Sequence, residues 1–154
     1  MNGDVFDAAW ELVQDHGLHD AGLPVPLNAL EDLYVPVYED LWDTGVAACA
    51  IPPSNGMPTR ATPAHIVMDR SLPPSTRRLF YAHEIGHVIC EHPGSLRARH
   101  VDPWFHDRHE REAWEVAALF LIPPQVFAEG WTKDQMATAC EVPRQVFDLY
   151  PQWW

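Results

Sequence analysis

Residues 78–93 read RLFYAHEIGHVICEHP, an apolar run that carries two histidines four apart with a glutamate directly after the first. On an α-helix, at about 100° per residue, His87 falls about 40° from His83 and Glu84 about 100° from it. Tyr81, Ala82, Ile85, Val88 and Ile89 then take the opposite side, and no solvent face exists before Glu91 and His92. Such a helix has to run through the centre of the fold. Buried imidazoles and a buried carboxylate cost free energy unless they find partners. Histidines at i and i+4 with an intervening glutamate are the arrangement that chelates zinc from consecutive helical turns and keeps the carboxylate beside the ion.

Two imidazoles leave a catalytic site one protein ligand short. A third histidine from the same motif would need Gly at 90 and His at 93, where this chain has Cys90 and Pro93. A glutamate from a later helix is the other solution, and RHEREAWEVAALFLIP offers Glu110, Glu112 and Glu115. Ala113, Trp114, Ala117 and Leu121 lie within about 60° of Glu110, whereas Glu112 and Glu115 sit about 200° and 140° away, beside Arg108 and Leu119. The phase points Glu110 to the core and the other two outward; Glu112, His106 and His109 stay as alternatives. Cys90 shares the ligand stripe but is read as core, because one straight helix seldom supplies three ligands. Two His, one Glu and an open position suit one zinc per chain, which would acidify a water molecule and polarise a carbonyl, with Glu84 as general base. The chemistry this supports is hydrolysis of an amide, most simply a peptide bond.

RRLFYAHEIGHVIC followed by EREAWEVAALFLIP resembles the ImmA/IrrE family of metallo-endopeptidases. The resemblance extends to AWELVQDHGL, PVPLNAL, IVMD and MATACEVPRQVF. It implies a zinc gluzincin fold with Glu110 as the ligand glutamate, and a helix-turn-helix transcriptional repressor of mobile-element or stress genes as substrate. Trp114 stands where relatives usually carry Asn or Asp, and Phe120 and Ile122 occupy the Leu and apolar positions. The Trp removes an acceptor for a histidine ligand, which lowers the metal affinity to be expected; Asp69 and Asp107 are the candidates to replace it.

The chain reads as one α+β domain over 1–154, with a small three-stranded sheet packed on a mainly helical, zincin-type body around the central HExxH helix. Residues 1–73 hold helices, the first capped by Asp4, and the strands VPVYE, GVAACAI and HIVMD, with Pro36 favouring an edge place for the first strand. Residues 74–123 hold the metal-binding helices, the first capped by Ser75, and 124–154 hold short helices. His65, Ile66 and Val67 are the candidate substrate-binding residues, aligning a peptide by strand addition. His65, Tyr81, Trp104 and Phe105 are candidates to stabilise an oxyanion.

A net charge of −12 argues against direct nucleic-acid binding and favours a basic protein partner. The carboxy-terminal helices have the rhythm of a DNA-reading pair, but Lys133 and Arg144 are their only basic residues, so packing is the expected role. Three scattered cysteines, an acidic start and the lack of a long apolar run point to a cytoplasmic protein with no membrane association. The competing reading is a binding module that sequesters a repressor or toxin without cutting it and keeps zinc for structure; Glu84 argues against it, since a pure binder needs no general base.

Overall fold

A computed structural model describes residues 3–33, 37–40, 48–51, 65–69, 71–92, 108–128 and 130–150. Pro36, Trp104, Phe105, His106 and Asp107 lie outside the described residues. The elements are α1 (Gly3–Asp15), α2 (Leu27–Glu31), β1 (Val37–Asp40), β2 (Ala48–Ile51), β3 (His65–Asp69), α3 (Pro74–Ile89), α4 (Arg108–Leu121), α5 (Lys133–Ala139) and α6 (Arg144–Phe147). Among the described residues no helix is long and apolar enough to cross a membrane.

Helix α1 buries Ala9 and Val13, one turn apart, and leaves its acidic residues outward. Gly17 ends this segment at φ 58°, a left-handed value that a residue without Cβ takes at no steric cost. The chain then drops Leu18 into the core, and His19 Nε2 meets the Leu119 carbonyl of α4 at 2.8 Å. Asp4 lies inside the first turn of α1, not at its cap. Ser75 likewise falls within the first turn of α3, because Pro74 occupies the first helical position and Pro73 the cap, where a missing N–H costs nothing. Thr132 forms a full capping box with Gln135 at the start of α5.

The three strands pair in the order β1-β3-β2, β1 parallel and β2 antiparallel to β3. Ile66 and Met68 of β3 are fully buried on one face while His65 is exposed on the other, the period-two alternation of a half-covered strand. Because β3 is central, its backbone is engaged on both sides. Strand addition at His65, Ile66 and Val67 is therefore corrected: an added chain has to use an edge, and among the described residues the edge strand packed beside α3 is β2.

Helices α3 and α4 form the core of the molecule. Tyr81, Ala82 and Ile85 of α3 meet an almost unbroken buried series in α4, Val116 to Leu121. Their approach is close at Gly86, where a Cβ would stand 2.4 Å from the Ala113 carbonyl oxygen. Arg78 ties this pair to the rest: it is buried and donates to the carbonyls of Val25 (3.0 Å), Cys140 (2.8 Å) and Glu141 (2.8 Å). The last two lie in the turn that closes α5, where Glu141 takes φ 51° and the N–H groups of Glu141 and Val142 bond the carbonyls of Thr138 and Ala137 at 3.0 Å each, so the guanidinium grips an already capped helix end.

Candidate metal centre

The α3 phase brings the two imidazoles together. His83 Nε2 and His87 Nε2 are 3.0 Å apart, and the Glu110 carboxylate closes over them at 3.2 Å and 3.4 Å. His83, His87 and Glu110 offer ligand atoms that all lie within 4.8 Å of one another. Two imidazole nitrogens and one carboxylate gathered in one small volume form a donor set that could hold a metal ion. The histidines hold the Glu110 carboxyl well below the usual carboxylate range through hydrogen bonds, more strongly than its burial raises it.

Glu110 reaches the histidines because Gly86 lets α4 lie against α3 one turn after it. The three glutamates nevertheless differ from the order of burial that helix phase suggests. The Glu110 side chain is 28% exposed, against 20% for Glu112 and 12% for Glu115. Glu112 and Glu115 do not point freely outward: Glu112 pairs with Arg108 at 2.8 Å and with His92 at 3.2 Å, and Glu115 with Arg111 at 3.2 Å. Glu110 sits at the mouth of the site, where α4 begins.

Glu84 is only 5% exposed. Burial raises its carboxyl above the usual range, and His83, His87 and a backbone hydrogen bond from Ala50 of β2 act in the opposite direction. The carboxylate thus lies buried beside the histidine pair and against strand β2.

Trp114 stacks on His83, ring centroids 4.2 Å apart and planes at 27°. Nδ1 of the same imidazole is buried with no hydrogen-bond partner among the described residues. Asp69 does not serve it: its Oδ1 accepts the Ser71 backbone N–H at 2.8 Å, which lowers its pKa. His87 is treated differently, its Nδ1 lying 2.9 Å from His92 Nδ1. Sequence reasoning left His92 without a role; its place one turn beyond His87, just past the helix end, was the available signal.

Tyr81 is fully buried on the opposite side of α3, and its hydroxyl pKa is raised by burial, so it is removed as an oxyanion candidate. His65 is exposed on the sheet. His109 stacks on His92, centroids 4.3 Å apart, and is not among the three clustered ligand atoms. Cys90 is a half-buried free thiol packed against the core, its pKa pushed up to about 12 by burial.

Comparison with curated proteins and with solved structures finds no match. A family model does match residues 47–149, a span that holds β2, β3, the helices α3 and α4 that carry the candidate ligands, and the short helices α5 and α6. With that span covering two thirds of the sequence, the chain belongs to the Peptidase_M78 family, the IrrE N-terminal-like domain, whose type of function is that of a metallopeptidase.

Proposed function

We propose that the chain is a zinc endopeptidase of gluzincin type, with His83, His87 and Glu110 as ligands of one zinc ion and Glu84 as general base. The observation that carries this reading is the convergence of the two Nε2 atoms and the Glu110 carboxylate beside a buried Glu84. The ion, when bound, supplies the Lewis acidity that acidifies a water molecule and polarises the scissile carbonyl. Glu84 takes the proton of the attacking water and returns it to the leaving amine. Ala50 steadies the Glu84 carboxylate from the edge strand, and the outer side of β2 is where a substrate backbone lies alongside the site.

The substrate we infer is a basic helix-turn-helix repressor cut once in an exposed linker or loop. A peptide bond within a packed helix cannot enter a cleft of this kind, so the target offers extended chain. The charge of −12 attracts a basic partner and repels duplex DNA, and the association weakens as salt rises. Incubation with the product of a neighbouring repressor gene, with zinc and then with a chelator, tests this. Single-site cleavage that stops on chelation is expected; cleavage that persists after chelation, or an intact repressor beside a cut unrelated peptide, removes the assignment.

A further inference from the structure

The two proposed histidine ligands are supported unequally. His83 has a buried Nδ1 with no hydrogen-bond partner among the described residues, whereas His87 begins a chain of polar contacts leading away from the metal centre. His87 Nδ1 meets His92 Nδ1 at 2.9 Å, His92 Nε2 meets Glu112 Oε2 at 3.2 Å, and Glu112 Oε1 accepts from Arg108 Nε at 2.8 Å. The chain has a direction. An imidazole that turns an Nε2 lone pair toward a metal carries its proton on Nδ1, so His87 donates to His92. His92, having accepted at Nδ1, carries its own proton on Nε2 and donates to the carboxylate of Glu112.

The backbone is shaped to make this contact. Helix α3 ends at Ile89 with Cys90 as its cap, and Glu91 takes φ 56°, a left-handed value that L residues with a side chain seldom adopt. In that conformation Glu91 N–H bonds the Val88 carbonyl at 3.2 Å and His92 N–H bonds the His87 carbonyl at 3.0 Å, the paired bonds of a Schellman motif. The turn folds His92 back over the last turn of its own helix, where its ring stacks on His109 of α4.

We propose that His92 and Glu112 are positioning residues that hold His87 in the tautomer and orientation a metal ligand needs, a carboxylate–histidine support lengthened by one imidazole. This rests on the reading of His83, His87 and Glu110 as metal ligands, and the experiment separates the two. Zinc affinity of the full-length protein is measured by competition with a chromophoric chelator. His92→Phe keeps the ring but loses both nitrogens, and weakens binding about 10–100-fold. In His92→Gln the amide oxygen accepts from His87 and the amide nitrogen donates to Glu112, and most of that loss is recovered. Glu112→Leu weakens binding about tenfold, and adds little to His92→Phe because the two act in series.

Affinity of His92→Phe within twofold of wild type overturns the proposal, as does a Gln variant as weak as the Phe variant, or full additivity of the two losses. Should His92→Phe fail to fold, Glu112→Leu and His92→Gln carry the same expectations. Cobalt-loaded wild type and His92→Gln share one visible spectrum under the proposal; a spectrum showing a lost nitrogen ligand makes His92 a ligand and overturns it. A wild-type chain that binds no zinc overturns the metal centre itself, and the support with it.

Discussion

Adding one methyl group at Gly86 tests how the fold brings Glu110 to the histidines. The Cβ of Gly86→Ala would lie 2.4 Å from the Ala113 oxygen, 2.9 Å from its Cα and 3.0 Å from its carbonyl carbon. All three are backbone atoms, so no rotamer change relieves the overlap. Recovering ordinary contact requires α3 and α4 to part by about 1 Å. Overpacking of this kind costs about 1–3 kcal/mol, and the better helix propensity of Ala offsets about 1 kcal/mol. A net loss of up to about 2 kcal/mol lowers Tm by up to about 8 °C for a chain of this size. Glu110 lies one turn before Ala113 on the displaced helix, so its carboxylate moves away from His83 and His87 by a comparable distance. Metal–ligand bonds tolerate about 0.2 Å, and zinc affinity should fall about tenfold or more. Thermal denaturation of the metal-free protein and chelator competition on the loaded protein measure the two effects separately. A variant with unchanged Tm and zinc affinity within twofold of wild type would refute the claim that this close approach sets the site.

Glu110→Ala should abolish stoichiometric zinc binding while Glu115→Ala retains one zinc per chain, by metal analysis after gel filtration; retention in the first would move the third ligand elsewhere. Arg78→Met leaves three carbonyls without their charged donor and should cost about 3 kcal/mol, lowering Tm by about 6–12 °C; a loss below about 0.5 kcal/mol in urea denaturation would deny Arg78 its role as a tie between segments. Acidification should release the metal, because protons compete for the Nε2 lone pairs of His83 and His87 while Glu110 stays ionised well below the usual range. Metal binding requires deprotonated ligands, so apparent affinity falls as pH falls, and a profile that stays flat on acidification would exclude histidine ligands.

The helices and the clustering of the three candidate ligands were legible because they depend on local periodicity. The apolar stripes of α3 and α4 repeat every 3.6 residues, and the phase that selected Glu110 over Glu112 and Glu115 also selected the carboxylate the structure brings to the histidines. Phase gives direction and not depth, which is why Glu110 proves the most exposed of the three glutamates. The cap at Ser75 failed because a helix can start without a side-chain cap when proline supplies the first position, and the one at Asp4 because α1 already includes Gly3. Strand order was not readable from β-prone runs, since pairing between segments distant in sequence leaves no local signal, and the last of the three strands proves central. The contacts of Arg78 and His92 were hidden for a related reason. Arg78 joins carbonyls 53 and 62 residues away, and His92 depends on a left-handed Glu91 that no glycine announces.

The central claim is that Glu84 performs proton transfer at a zinc site, and Glu84→Gln isolates it, since the amide keeps the shape of the side chain but cannot take a proton. Repressor cleavage is to be compared between wild type and Glu84→Gln after each has been shown to carry one zinc per chain. The account predicts equal zinc content and a rate at least about a hundredfold lower in the variant; undiminished cleavage by zinc-loaded Glu84→Gln would contradict it.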